Sequence, residues 1–381
     1  MMKCPNYKKC SGCQLQNMEY EEQLSFKQAK LIKLLGRFCH IDEIIGMENP
    51  LHYRNKAQMA FTRLNGKTVS GVYQSARRAV VPTASCFLDN EKADEVILTV
   101  RKLCEQFKIY PFDLRSGKGF LHHVLVRNAH FGNGLMVVLV TSKGEFKSGK
   151  AFVSALLSSH PEITTVVRNV NDSDKGLFLG ERSEILFGDG YITENLLGLS
   201  FRISPKSFFQ VNSVQTEILY KKALEFADLS GKERVIDAYC GTGTIGLIMA
   251  SRAKEVFGVE INKEAVKDAK VNAELNGIKN VRFFAADSGD FMDDLRKNGE
   301  AADVVITDPP RAGCSGKFLN CLVALSPKKI VYISCNPETL ARDLYSLRKG
   351  GYKVRKIQPV DMFPHTHHVE NVVLLERREV K

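Results

Sequence analysis

From about residue 231 onward the chain alternates between two textures. The runs ERVIDA, EVFGVE, VRFFAA, ADVVITD and KIVYIS are short and almost continuously apolar, and each is followed by a Gly- or Pro-marked turn and a helical stretch. Apolar side chains at every position suit a strand covered on both faces, and the intervening helices provide the crossovers that parallel strands need. The pattern therefore predicts a doubly wound, Rossmann-like α/β domain. In such folds ligands bind outside the carboxyl ends of the strands, so candidate chemistry should lie in the turns after these five runs.

Upstream the texture differs. Residues 17–36 read as an amphipathic helix with Tyr20, Leu24, Ala29, Leu31 and Leu35 on one face and Gly36 as terminator. Between about 51 and 190, runs such as VLVRN, LMVVLV and ITTVVRNV are separated by Gly, Asn and Ser, which predicts a mainly antiparallel, β-rich α+β domain. The boundary is expected near 190–205, giving an N-terminal domain of residues 1–200, the 17–36 helix included, and a C-terminal domain of 201–381.

A net charge of +11 favours a polyanionic partner, and residues 101–128 concentrate Arg101, Lys102, Lys108, Arg115, Lys118 and Arg127 against Glu105 and Asp113. The N-terminus MMKCPNYKKC has no apolar stretch of the signal-peptide kind, and no apolar run reaches the length of a membrane span. With ten cysteines and no such signal, the expected compartment is the reducing cytoplasm, where cysteine clusters point to metal binding or catalysis. No membrane and no obligate protein partner are implied, and a monomer is the default.

The turn after the first run is Asp237-Ala238-Tyr239-Cys240-Gly241-Thr242-Gly243-Thr244. Its glycines let backbone approach a ligand closely. The second run ends at Glu260, where an acid can accept from ribose hydroxyls, and the third leads to Asp287, suitably placed for an adenine amino group. Gly246 completes a G-x-G-x-x-G pattern, so the glycines leave a dinucleotide open. The fourth run ends in Asp308-Pro309-Pro310-Arg311, a stiff turn that fixes a carboxylate over the pocket. Methyltransferases place such a turn beside the transferred methyl, and S-adenosylmethionine is the favoured ligand.

The fifth run delivers Ser334-Cys335-Asn336-Pro337. A strand cysteine is most often a packing residue, but a thiolate here is suited to conjugate addition at an electron-poor ring carbon, and Pro337 can open a helix whose dipole favours it. Downstream lies Asp361-Met362-Phe363-Pro364-His365-Thr366-His367-His368-Val369-Glu370. The histidines lack helical ligand spacing, which disfavours a metal, and Glu370 reads as a proton acceptor. Uracil carbon 5 needs such help: a thiolate at carbon 6 makes it nucleophilic, and a base must later remove its proton.

Together, Phe208-Phe209-Gln210, Asp237 to Gly243, Asp308 to Arg311, Ser334 to Pro337 and His368-Val369-Glu370 resemble the RNA 5-methyluridine methyltransferases, over nearly the whole chain. The resemblance implies a class I methyltransferase domain, Cys335 as nucleophile, Glu370 as base, and S-adenosylmethionine held by Gln210, Tyr239, Glu260 and Asp308, with Thr244 and Asp287 as further contacts. Thr244 departs from the residue several relatives carry.

Cys4, Cys10 and Cys13 form C-x5-C-x2-C, with Cys86 73 residues further on. Four thiolates can hold zinc or an iron–sulfur cluster, and the spacing alone leaves both open. The resemblance implies a [4Fe-4S] cluster, as in the family's ribosomal-RNA branch. That branch also contains members with a small β-barrel before the first cluster cysteine. Cys4 stands almost at the start here, and the expected substrate is a uridine in 23S ribosomal RNA, flipped out or in a loop. Tyr53-Arg54-Asn55-Lys56, His122, His123 and Arg127 are further candidates for RNA contact. The alternatives are a transfer-RNA methyltransferase and a non-catalytic iron–sulfur RNA-binding protein.

Overall fold

A computed structural model describes residues 4–74, 79–113, 116–172 and 178–378. Arg115 of the basic stretch lies outside the described residues.

The chain forms two compact units. The first comprises Met1–Asn17, Asn49–Asn195 and Arg202–Lys206, and the second Met18–Glu48, Leu196–Phe201 and Ser207–Lys381. Between the units the chain crosses after Asn195, Phe201 and Lys206, where a single boundary near 190–205 was expected. The first helix, α1 (Tyr20–Leu35), however, belongs to the second unit rather than the first. Leu31 and Leu35 enter that unit's core with Phe318, Leu340 and Leu344. The buried face of α1 also differs from the apolar reading. Gln23, Lys27, Leu31 and Leu35, four residues apart, are buried, whereas Ala29 is exposed. Polar residues sit inward because partners wait there: Lys27 Nζ lies 2.6 Å from Asp361 Oδ1 and 3.1 Å from the Phe363 carbonyl, and Tyr20 Oη donates to Asp361 Oδ2 at 2.9 Å.

The first unit is a seven-stranded sheet. Its strands are β1 (Lys56–Leu64), β2 (Lys67–Gln74), β3 (Ala79–Pro82), β4 (Leu121–Asn128), β5 (Leu135–Thr141), β6 (Ile163–Val170) and β7 (Arg182–Phe187), in the order β3-β2-β1-β4-β5-β6-β7. All neighbours are antiparallel except β5 and β6, which a crossover through α3 (Gly149–Ser159) makes parallel. Helix α2 (Glu91–Gln106) and α3 close the core over Met59, Val124, Val126, Val137 and Leu139. A two-stranded ribbon, β8 (Ile192–Leu196) and β9 (Leu199–Ile203), follows.

In the second unit, α4 (Ser213–Ala227) precedes β10 (Arg234–Ala238), α5 (Thr244–Ala250), β11 (Glu255–Glu260), α6 (Lys263–Leu275), β12 (Val281–Ala285), α7 (Ser288–Lys297), β13 (Val304–Thr307), α8 (Gly316–Leu325), β14 (Lys329–Ser334) and α9 (Pro337–Lys349). These five strands are parallel, in the order β12-β11-β10-β13-β14, and β13 is buried at every position, as the apolar runs predict. The sheet then departs from pure parallel pairing. The last strands, β15 (Tyr352–Val360) and β16 (Glu370–Arg377), form an antiparallel hairpin, and β16 inserts beside β14. Being antiparallel, β16 begins where the five parallel strands end. No helix among the described residues is long and apolar enough to cross a membrane.

Candidate active site

The turn after β10 bends through Tyr239, whose φ of +63° is left-handed for a non-glycine residue, and Gly241 at +54°. Nothing lies within 4 Å of where a Gly241 Cβ would stand, so backbone there is open to a ligand. Gly246 serves another purpose. Its N–H donates to the fully buried Asp237 Oδ2 at 2.7 Å, and a Cβ would sit 2.9 Å from that oxygen. Burial pushes the Asp237 carboxyl up to about 8, against the opposing pull of that N–H.

Glu260, at the end of β11, accepts from Gly241 N at 3.2 Å and Asn262 N at 2.8 Å, which aims its carboxyl across the turn. A cavity of about 420 Å³ opens here. Its walls include Gln210, Tyr239, Thr244, Glu260 and Asp308, five of the six residues expected to touch the cofactor. The sixth, Asp287, does not line it: Asp287 caps α7, its Oδ1 accepting from Gly289 N and Asp290 N at 3.0 Å each. Phe208 and Ile261 also line the cavity and are about 70% and 73% exposed, apolar surface at its rim.

Beside the cavity, the β14/β16 ladder ends at the pair Ser334↔Asn371. Cys335 follows Ser334 and Glu370 precedes Asn371, so the two side chains leave the ladder at the same edge. Asp308 follows β13, the neighbour of β14 on its other side. Charge couples the three. Burial, then Glu370 and then Asp308 push the Cys335 thiol up to about 11, while Arg311 pulls it down. Burial, then Asp308 raise the Glu370 carboxyl well above the usual range, and Arg311 again opposes. Burial lifts Asp308 to about 7. Two buried carboxyls and a thiol in so small a space resist ionising together. Glu370 Oε2 is buried with no hydrogen-bond partner among the described residues.

Arg311 is thus a functional candidate, although its place after two prolines does not by itself reveal a role. Its guanidinium approaches His368 Nε2 at 3.4 Å, and burial with the Arg311 charge lowers His368 to about 4. Tyr220 of α4 was also missed. It lines the cavity, and burial, followed by Asp308, raises its hydroxyl. An apolar helix position gives no sign of that.

The thiol quartet lies in the first unit. Burial pushes Cys13 up to about 11, with Arg54 opposing and Cys10 and Cys4 adding to the rise. Burial pushes Cys86 up to about 12, and its N–H donates to Asp94 Oδ2 at 2.7 Å. Arg54 is the cation that faces both Cys13 and Cys86. Among the described residues no three His, Cys, Asp or Glu side chains converge as a metal ion requires. Cys4, Cys10, Cys13 and Cys86 are each half-buried, and the expected four-thiolate cage has no converged ligand set to support it among the described residues. Several of the candidates for RNA contact are packed inside the first unit. Tyr53 and Arg127 are buried, His122 stacks on Phe112 at 4.1 Å, and burial lowers His123 to about 4.

Comparison with known proteins decides the family. The model of the tRNA (uracil-5-)-methyltransferase family matches residues 179–378. The chain belongs to that family. It is 43% identical to a Clostridium tetani protein described as an uncharacterized RNA methyltransferase, over 98% of this chain and 82% of that protein. An Oceanobacillus iheyensis protein of the same description is 42% identical over 96% and 81%. Among solved structures, the Pyrococcus abyssi tRNA (uracil-54, C5)-methyltransferase in complex with S-adenosyl-L-homocysteine matches with a TM-score of 0.81 and 30% identity, covering 96% of this chain and 86% of that one. The Rossmann-like methyltransferase fold of the family is thus the fold of the second unit.

Proposed function

We propose that this RNA methyltransferase transfers a methyl group from S-adenosylmethionine to carbon 5 of a uridine through a covalent bond to Cys335. The observation that carries the reading is the β14/β16 register, which ends at Ser334↔Asn371 and so brings the adjoining Cys335 and Glu370 to one sheet edge, where Asp308 at the cavity wall influences both. The fit to S-adenosylmethionine rests on the shared cavity of Gln210, Tyr239, Thr244, Glu260 and Asp308 and on the open backbone at Gly241. When bound, S-adenosylmethionine supplies an electrophilic methyl on a sulfonium.

Cys335, its thiol proton released to solvent, adds to carbon 6 of the uracil ring, the 5,6 π-electron pair passing to the ring as an enolate whose carbon 5 is nucleophilic. Arg311 favours the thiolate that this step needs. Glu370, held towards its neutral form by burial and by Asp308, ionises more readily beside Arg311. Once carbon 5 carries the methyl, Glu370 takes its proton. The C–H electron pair then closes the 5,6 double bond, and the Cys335 sulfur leaves as thiolate. Cys335→Ala should abolish methyl transfer; full activity in that variant overturns the covalent reading. Glu370→Gln should accumulate a protein–RNA adduct that survives denaturing gels, because elimination stalls.

The target we propose is a uridine in 23S ribosomal RNA, supported by the spacing of Cys4, Cys10, Cys13 and Cys86. The Pyrococcus abyssi neighbour favours the second reading, transfer RNA. Mapping 5-methyluridine in both RNAs from a strain lacking the gene separates them: loss confined to transfer RNA refutes the ribosomal target. The [4Fe-4S] reading of the quartet is supported by the mutual influence of Cys4, Cys10 and Cys13 and opposed by the absence of a converged ligand set among the described residues. Iron and acid-labile sulfide in anaerobically purified protein test it, and zinc or neither metal overturns it.

A further inference from the structure

The segment that carries Arg311 leaves β13 at Thr307 and does not regain regular structure until α8 begins at Gly316. Besides a turn bond from Gly313 N to the Pro310 carbonyl at 2.8 Å, the backbone of residues 311–314 is bonded by side chains of α9 and its N-cap. The Arg311 carbonyl accepts from Asn336 Nδ2 at 3.0 Å and Thr339 Oγ1 at 3.3 Å. The Ala312 and Cys314 carbonyls both accept from Arg342 Nη2, at 2.9 and 3.1 Å. Cys314 N donates to Asp343 Oδ2 at 2.8 Å.

Asp343 is where these bonds meet. Its carboxyl is fully buried, and besides Cys314 N it accepts from Tyr332 Oη at 2.7 Å and Arg342 Nε at 2.8 Å. Tyr332 lies on β14, three residues before Cys335. One carboxylate therefore ties together the Arg311 loop, the strand that presents Cys335, and the cation that gathers the loop's carbonyls. Gly313 passes so close, at φ +74°, that a Cβ would lie 2.6 Å from Arg342 Nη2 and 2.7 Å from Asp343 Oδ2. A buried carboxylate with three donors is a strong organiser of backbone, because each donor lost leaves charge uncompensated.

We infer that Asp343, acting with Arg342, is a positioning residue that clamps the 310–314 loop to α9 and so fixes the Arg311 guanidinium beside Cys335 and Glu370. This rests on the reading of Cys335 and Glu370 given above. The charged groups facing Cys335 are Glu370 from β16 and Asp308 and Arg311 from the loop after β13, with His368 against Arg311. Arg311 is the cation among them, so its displacement should leave the thiol harder to ionise.

The test is the rate at which iodoacetamide labels Cys335 in the full chain, read by mass spectrometry of the Cys335 peptide across pH. Asp343→Asn and Arg342→Ala should each slow labelling at pH 8 by about threefold to tenfold, as Arg311→Ala does, since one unit of thiol pKa is tenfold in thiolate. In the Arg311→Ala background neither should slow it further. For methyl transfer, kcat should fall while KM for the methyl donor stays within about twofold. Arg342 is exposed, so its variant keeps the test open if Asp343→Asn does not fold. Unchanged labelling in a folded variant, or equal slowing with and without Arg311, overturns the inference. Labelling needs neither RNA nor turnover. A fully active Cys335→Ala would therefore refute the proposed reaction while leaving the clamp to be judged by labelling alone.

Discussion

Replacing Lys27 by Met should destabilise the second unit strongly, and the reason is electrostatic rather than steric. Lys27 and Asp361 are both fully buried and 2.6 Å apart. Met fills the aliphatic volume of the Lys stem, so the cavity term is small. What remains is a buried Asp361 carboxyl with the Tyr20 hydroxyl at 2.9 Å and no cation. Removing one partner of a buried pair costs about 3–5 kcal/mol. For a unit of this size each kcal/mol lowers Tm by about 2–4 °C, which gives a fall of about 6–20 °C in thermal denaturation at pH 7. The double variant Lys27→Met with Asp361→Asn removes the orphaned charge and should recover most of the loss. A single variant within about 2 °C of the parent, or a double variant no better than the single, would refute the argument that charge compensation holds α1 to the 361–365 segment.

Gly246→Ala should lose methyl-donor binding and stability together, because its Cβ would press on Asp237 Oδ2; calorimetric titration with S-adenosylmethionine and a thermal melt check both. Asp237 also predicts a pH dependence. Its folded-state carboxyl titrates at about 8, far above the unfolded value, so the folded state binds the extra proton between roughly pH 4 and 8 and loses stability as pH rises through that window. Asp237→Asn should flatten that part of the stability profile, measured by urea unfolding at pH 5.5 and 8; an unchanged slope counts against a neutral, buried Asp237. Cys335 should label slowly with iodoacetamide at neutral pH and faster towards pH 11, since burial and two neighbouring carboxyls raise its thiol.

The second unit was legible because its evidence is local. Apolar runs of four to six residues between helices allow few arrangements, and the turns after β10, β11 and β13 carry chemistry in adjacent residues. Glu260 and Asp308 could be placed from strand ends alone. What the residues hid was relational. Lys27 and Gln23 look like solvent-facing positions until their partners, 334 and 342 residues away, are known. The helix therefore read as part of the N-terminal domain, and its buried face was set too far towards Ala29. Asp287 is ambiguous for a different reason: an acid after a strand suits a ligand and a helix cap alike, and its Oδ1 caps α7.

The meeting of Cys335 and Glu370 at the end of the β14/β16 ladder shows why such a site needs its whole sheet. Thirty-five positions separate them, and a parallel continuation after α9 would have sent the last strand's start to the opposite edge from Cys335. The hairpin of β15 and β16 reverses direction once more, so β16 starts at the carboxyl edge, with Glu370 its first residue. The segment that makes this turn is also the one that Lys27, Tyr20 and Gln23 grip through Asp361, Phe363 and His365. A helix laid down at the start of the chain therefore fixes where the candidate base begins. Loosening α1 should for that reason depress Glu370-dependent proton removal more than it depresses formation of the Cys335 adduct.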